Sequence, residues 1–201
     1  DGSQSFVAGF AHSEAQAGPW ELSSGLRGEW GTYPVWSALL RAAFRASDQH
    51  HGQIRLSRGS RAPQWEELYA DGRHISAARI ERGQPNLGPE QVWNADAQWH
   101  FDGPKVEWSG GLFAQSYASF IALNPVWENG QWLYEYGSGD AQLWGSEWLV
   151  HTHQGPWHAQ LTYAWVHGQR ANGEALPSVA PSKWGMNFRY AQSERRRPWT
   201  L

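Results

Sequence analysis

Apolar and polar side chains alternate along most of the chain with a period of two. In residues 157–166 the odd-numbered positions carry Trp, Ala, Leu and Tyr, whereas the even-numbered positions are mostly polar. Similar alternation recurs in residues 38–46, 92–101 and 183–190. Successive side chains of a β-strand point to opposite faces, so this pattern predicts strands with one apolar and one polar face.

Turn signals divide the chain into about ten strands with two kinds of connection. Short Gly-Pro turns are predicted at residues 17–20, 102–105 and 154–157. Longer loops are predicted at the opposite ends of the strands, at residues 62–90, 124–131 and 171–182. Among the connections at that end, only the one at residues 31–34 is short. This asymmetry is typical of outer-membrane barrels. We therefore predict an all-β fold: an antiparallel transmembrane β-barrel segment with short periplasmic turns and longer extracellular loops.

A soluble, Trp-rich β-sandwich that binds carbohydrate is the alternative interpretation, because its strands alternate in the same way. Three features favour the barrel. The strand candidates often reach the roughly 9 to 11 residues that cross a bilayer at a tilt. Aromatic residues lie toward the ends of the apolar faces, as in Trp93 to Trp99 and Trp157 to Trp165, which resembles an interfacial girdle. The opposite faces are rich in Arg, Gln, Asn and His.

Composition excludes several other classes of protein. The 201 residues include 15 Trp and no Cys, so no disulfide or thiolate metal site forms. The net charge of −3 gives no support to nucleic-acid binding. Apolar runs stop at about four residues, whereas a transmembrane helix needs roughly 20. Catalytic motifs such as a nucleophile elbow, a phosphate loop or a zinc-protease helix do not occur, and we expect neither enzymatic activity nor a cofactor.

The alternation also assigns side chains to the two faces of the predicted barrel. Ala42, Ala97 and Leu161 are predicted to face lipid. The polar set that we expect to face the lumen is Arg41, Gln98, His100, Glu147, His151, Gln160 and Arg189.

Histidines recur on the polar register near one predicted turn. His151 and His153 lie just before the turn at residues 154–156, His158 follows it, and His100 lies two strands away. Imidazoles at such spacing bind transition metals in many proteins. The spacing specifies no carboxylate ligand, however, and the sequence favours the interpretation that these polar groups contact a plug, a protein segment that fills the lumen of some barrels, at the periplasmic end.

Three segments carry a resemblance to a known family. The strand at residues 53–60 is followed by Arg-Ala-Pro and Glu-Leu-Tyr elements within residues 61–72, then by a Gly-Gln-Pro-Asn-Leu-Gly-Pro-Glu element at residues 83–90. A Gly-x-Glu element follows an aromatic residue at 144–147. In this order they resemble the barrel of TonB-dependent outer-membrane receptors, with Gln84 in place of the usual Asn. The resemblance covers much of residues 53–190.

This resemblance implies a function in the outer membrane of a Gram-negative bacterium. The chain is expected to belong to an energy-coupled receptor that takes up a scarce metal ion or metal chelate, such as zinc or an iron-siderophore. Its expected partners are the TonB energy-coupling complex, reached through a plug, the metal or chelate ligand, and outer-membrane lipid. No plug and no terminal strands are visible, so residues 1–201 are expected to form part of one receptor β-barrel domain.

The loop after Arg61 is the longest predicted connection, and loops on rigid scaffolds usually carry recognition residues. Its Glu67 to His74 string is similar to one in the metal-importing branch of the family. The candidate ligand-binding residues are Glu67, Tyr69, Asp71, His74 and Glu81, of which Asp71 and His74 are the candidate metal ligands. Because their spacing matches no fixed metal motif, the alternative is that they only order the loop.

Pro63 predicts a short helix at the start of this loop, with Glu66 and Glu67 near its positive end.

Overall fold

A computed structural model describes residues 6–75, 77–177 and 179–191 of the chain. It contains eleven strands and one short helix. The elements are β1 (Phe6–Ala17), β2 (Trp20–Gly31), β3 (Val35–Arg45), β4 (His50–Arg61), α1 (Trp65–Tyr69), β5 (Asp71–His74), β6 (Arg79–Arg82), β7 (Glu90–Asp102), β8 (Val106–Glu128), β9 (Gln131–Gln154), β10 (Trp157–Arg170) and β11 (Lys183–Tyr190).

The described strands form one sheet. Nine of them follow the order β1-β2-β3-β4-β7-β8-β9-β10-β11, and every neighbouring pair in this path is antiparallel. The β5–β6 hairpin lies off this path and contacts it through two parallel pairs, Glu81 with Tyr134 and Arg82 with Glu135. The all-β, antiparallel prediction is confirmed. Because the strands form a single sheet and not two packed sheets, the β-sandwich alternative is wrong.

The two ends of the sheet carry different connections, as predicted. At the short-turn end, two residues join β1 to β2, three join β7 to β8 and two join β9 to β10. The opposite end, which we call the loop end, carries the connections at residues 62–89 and 171–182. The helix, the β5–β6 hairpin and the loop-end half of β8 and β9 all lie there.

The predicted loop at residues 124–131 is wrong. The strands β8 and β9 run through it and meet in a two-residue turn at Asn129 and Gly130, whose φ angles are +51° and +79°. Asn-Gly favours this hairpin geometry, in which both central residues have positive φ. Pro125 is tolerated because β7 begins at Glu90 and pairs only as far along β8 as Ala118, so Pro125 lies on an edge of the sheet.

A bulge separates the two halves of β8. The register with β9 shifts between Tyr117 and Phe120, and Ser119 has a φ of +59°. Beyond the bulge, Leu68, Leu87 and Ile121 form a buried cluster with Tyr33 and Tyr136 packed against it. This small core lies at the loop end and packs the long loop onto the β8–β9 hairpin.

The helix α1 begins after Gln64, one residue beyond Pro63, so the predicted short helix is confirmed. The backbone N–H of Gln64 donates to Glu67 Oε2 at 2.7 Å, which satisfies one backbone donor at the start of the helix. Among the described residues no helix has the length and apolar character that a membrane crossing requires.

Candidate functional site

The seven residues of the predicted polar set share one face of the sheet. Directly opposed residues of neighbouring strands lie on the same face. Gln98 is opposite Gly111, which is opposite Glu147, and His151 is opposite both Glu107 and Gln160. Arg41 is opposite Arg55, which is opposite Asp96, and Asp96 shares its face with Gln98 and His100 because they follow at steps of two on β7. Arg189 is opposite His158, which is two residues from Gln160 on β10 and therefore lies on the same face. We call it the polar face; that it lines the lumen stays a prediction.

Side-chain hydrogen bonds connect the polar face across β2, β3, β4 and β7. Arg41 donates from Nε to Gln53 Oε1 at 2.6 Å and from a terminal nitrogen to Glu21 Oε1 at 2.5 Å. Gln53 in turn donates from Nε2 to Gln98 Oε1 at 2.8 Å. Two of the predicted residues, Arg41 and Gln98, therefore belong to one network that spans four strands.

A second network lies toward the loop end of the same face. Asp96, which is only 7% exposed, accepts at Oδ2 from Arg55 Nε at 2.8 Å and from Asn94 Nδ2 at 3.0 Å. Gln115 donates to Asn94 at 3.2 Å, and the Tyr117 hydroxyl donates to Gln115 at 3.1 Å. Buried carboxylates need such partners because an unpaired charge in a low-dielectric environment is costly.

The opposite face is apolar and exposed, and we call it the apolar face. Ala42 pairs through Ile54 with Ala97, and Leu161 pairs with Val150. Aromatic pairs lie near the short turns of this face, with ring centroids 4.6 Å apart for Trp20 and Phe44 and also 4.6 Å apart for Trp157 and Tyr190. Aromatic side chains recur toward the loop end at Trp36, Trp93, Trp165 and Trp184. Exposed apolar surface between two aromatic bands is typical of a lipid-facing sheet.

Arginines hold the acidic side chains of the long loop. Glu67 is 8% exposed and accepts two hydrogen bonds from the Arg61 guanidinium, at 2.8 and 2.9 Å. Arg61 also donates to both carboxylate oxygens of Glu90 at 3.3 Å, and Glu90 Oε2 accepts from the Ile121 N–H at 2.8 Å. Glu67 therefore ties α1 to the end of β4 and, through Arg61, to the start of β7.

The β5–β6 hairpin is held in a similar way. Glu81 is 4% exposed and accepts from Arg79 Nε at 2.6 Å. Arg82 donates to Glu128 Oε2 at 2.7 Å, and this hydrogen bond raises the pKa of the Arg82 guanidinium. The hairpin is thus fixed to the loop-end half of β8.

The five predicted ligand-binding residues divide into two groups. Glu67 and Glu81 are buried and bonded to arginines, whereas Tyr69, Asp71 and His74 are exposed. Asp71 and His74 occupy the first and last positions of β5. Among the described residues, no group of three or more ligand side chains at metal spacing includes Asp71 or His74.

The described residues do contain one group with metal-ligand spacing, and it lies at the short-turn end of the polar face. The ligand atoms of Glu107, His151 and His153 all lie within 4.8 Å of one another. His158 stacks beside them, with its ring centroid 5.8 Å from that of His151 and 6.1 Å from that of His153. The sequence predicted that the three histidines lie close to one another. Glu107 lies beside them only because β8 pairs with β9, which sets Glu107 opposite His151.

The family described as TonB dependent receptor-like, beta-barrel matches residues 1–201, the whole length of the chain.

The chain belongs to the TonB-dependent receptor-like β-barrel family.

Solved structures share the fold of this TonB-dependent receptor barrel. The copper transporter OprC superposes with a TM-score of 0.82 at 16% identity, over 94% of this chain and 33% of that one. The siderophore receptor PirA from Acinetobacter baumannii gives 0.73 at 14% identity, over 94% and 31%. The FrpB iron transporter from Neisseria meningitidis (F3-3 variant) gives 0.69 at 13% identity, over 96% and 32%. The receptor barrel chain thus spans about a third of the length of each.

Proposed function

We propose that this chain forms part of the wall of an outer-membrane, TonB-dependent receptor that imports a scarce metal ion or metal chelate. One observation carries the proposal: a single sheet of nine antiparallel strands with a hydrogen-bonded polar face, an exposed apolar face and loops that extend from one end. A transmembrane barrel wall needs this combination, because lipid and lumen are different solvents on its two sides. Uptake of a metal or chelate is what the names of similar structures say of those proteins.

In this proposal the polar face lines the lumen and the apolar face contacts lipid. The exposed apolar side chains at Ile54, Leu112 and Leu161 are favourable in lipid and unfavourable in water. The short turns then lie in the periplasm, the loop end faces the medium, and the barrel lies in the outer membrane of a Gram-negative bacterium. Energy would come from the TonB complex acting through a plug.

Ligand capture is assigned to exposed residues of the long loop, at the end of α1 and on β5 of the β5–β6 hairpin. Tyr69, Asp71 and His74 are exposed at the loop end, and they offer hydroxyl, carboxylate and imidazole groups. Glu67 and Glu81 hold the loop in place through their arginines, so they support the capture surface without contacting the ligand. Because no group of three or more ligand side chains at metal spacing in the described part of the chain includes Asp71 or His74, they would contact a chelate or an ion together with residues of other loops.

The test is ligand binding and uptake by the intact receptor in cells. Asp71→Asn with His74→Gln should weaken binding of the imported zinc or iron chelate at least about tenfold, because polar groups that contact a ligand are each worth about 1 kcal/mol or more. The matched control is Asp48→Asn with His12→Gln, which changes the same chemistry away from the loop end. Equal binding and uptake in both double variants, with equal amounts of folded receptor, would remove the hairpin from the capture site.

A further inference from the structure

Histidines are concentrated at the short-turn end of the polar face, far from the capture loop. The chain has nine histidines, and five of them lie on this part of the polar face, on β4, β7, β9 and β10. They are His51, His100, His151, His153 and His158. The lumen hydrogen-bond networks described above use none of these five side chains.

Three side chains of this region already approach the geometry of a metal site. His151 Nδ1 lies 3.5 Å from Glu107 Oε2. In a tetrahedral zinc site with bonds of about 2.0 to 2.2 Å, neighbouring ligand atoms are separated by about 3.3 to 3.6 Å. Glu107 and His151 therefore stand at ligand spacing, and a ligand atom of His153 lies within 4.8 Å of both.

A second observation concerns His158, which is directly opposite His153 in the β9–β10 register. Its Nδ1 atom is buried and has no hydrogen-bond partner in the part of the chain that the structure describes. Buried polar atoms in proteins are nearly always paired. An unpaired imidazole nitrogen beside two other imidazoles is the arrangement expected of a ligand position.

We propose that Glu107, His151 and His153, with His158 as a fourth ligand, bind a divalent first-row transition ion such as Zn²⁺ or Cu²⁺. Imidazole suits these ions, and one carboxylate completes a set found in zinc sites. Mg²⁺ and Ca²⁺ prefer sites built from oxygen ligands, so three imidazoles and one carboxylate select against them.

The backbone holds this site in place. The His153 N–H and the Thr152 hydroxyl both donate to the Lys105 carbonyl oxygen at 3.0 Å, which ties the end of β9 to the turn before β8. Glu107 and His151 face each other directly in the sheet. Arg189 lies opposite His158 on its other side, and the group of ligand atoms within 4.8 Å of one another does not include His158, so His158 is assigned as the outermost of the four ligands. Without His158, three protein ligands leave one position open, as in sites that exchange a bound group.

The inference rests on the proposed function and deepens it. The site would bind a bare ion on the wall of the lumen, at the end opposite the capture hairpin, where a released ion leaves the barrel. Binding of the ion itself needs only these three strands and is measurable without transport.

The experiment uses the intact, purified receptor in detergent and the metal alone. Bound Zn²⁺ is counted and its affinity measured by competition with a coloured chelator, and Cu²⁺ spectra by electron paramagnetic resonance report coordinated imidazole nitrogens. The variants are His151→Gln with His153→Gln, and separately Glu107→Gln. The matched control is His12→Gln with Glu14→Gln, another histidine–carboxylate pair on the polar face, with its atoms 3.7 Å apart.

The histidine double variant should lose one bound Zn²⁺ per receptor and the imidazole signal, and Glu107→Gln should weaken this site at least about tenfold. The control should retain both. Native folding of each variant is checked by resistance to unfolding in detergent. An unchanged Zn²⁺ count and Cu²⁺ spectrum in the folded double variant would overturn the site. That result would leave the proposed uptake of a chelate unaffected, because the hairpin variants test it separately. Conversely, a receptor that binds Zn²⁺ here but transports no metal would contradict the proposed function and leave this site intact.

Discussion

The two ends of this sheet are stabilised in different ways. At the loop end, Leu68, Leu87 and Ile121 bury one another, and Glu67 and Arg61 form a bidentate ion pair. Toward the short turns both faces of the sheet are open, and the polar face is held by side-chain hydrogen bonds across strands. The loop end therefore has an internal core, whereas the rest of the sheet depends on the solvent at each face.

This difference shows how the stabilising interactions of a barrel wall are distributed between its two ends. In the proposed membrane setting, the sheet between the aromatic bands needs no core of its own, because lipid would take its apolar side chains out of water. The loop end extends beyond that environment and must bury apolar surface within the chain. We therefore expect the two regions to respond to different substitutions.

The largest expected effect is at the small core. Leu68 is 1% exposed, and Leu68→Ala should cost about 2 to 5 kcal/mol of local stability because it leaves a cavity. Hydrogen exchange measured by mass spectrometry should rise in residues 64–87 and stay unchanged in β7 and β10. The control is Ile75→Ala at a site that is 90% exposed. Equal protection of the loop in both variants would mean that this core does not hold it.

A charge on the apolar face should act on the other region. Leu161 lies midway between Trp157 and Trp165 on the apolar face of β10, and Leu161→Arg should destabilise the receptor in a bilayer by about 2 to 4 kcal/mol. Gln160→Arg changes the neighbouring side chain on the polar face and should have little effect. Urea unfolding in lipid vesicles compares the two. A larger loss for Gln160→Arg would reverse the assignment of the faces.

The sequence predicted which side chains share a face of the sheet, because the period of two leaves little choice. A slip of one residue would move every side chain of a strand to the other face, so Arg41, Gln98 and Gln160 share a face once the register is right. Contacts between distant segments were not predictable in this way. Arg61 reaches Glu90, 29 residues away, and Glu107 meets His151 only after β8 and β9 pair.

The missed extension of β8 and β9 has a similar cause. Asn124, Pro125 and Gly130 are turn-forming residues, so local composition predicted a loop at residues 124–131. Tertiary contacts decide otherwise, because β9 pairs with β6 in parallel and Ile121 on β8 packs on Leu68. Local turn propensity specified only the last two residues, Asn129 and Gly130.

The smallest expected effect tests this turn. Gly130 has a φ of +79°, and a Cβ added there would have no atom within 4 Å, so Gly130→Ala should cost about 1 kcal/mol through backbone strain alone. Gly139 is a matched control, since it has equal space on β9 and no positive φ. Proteolysis rates at the hairpin tip should rise for the first variant only. A similar rise in both would show that strain at the turn is not the cause.

Collision rates of spin labels test the central claim, that the two faces contact lipid and lumen, most directly. Nitroxide labels are attached singly at the neighbouring positions 97 and 98 of the intact receptor in lipid bilayers, and each is exposed to dissolved oxygen and to a water-soluble nickel chelate. Adjacent labels lie at nearly the same depth, so the comparison reports the face and not the depth. The account predicts a higher ratio of oxygen to nickel collisions at Ala97 than at Gln98. The opposite ratio, or equal ratios at the two positions, would contradict it.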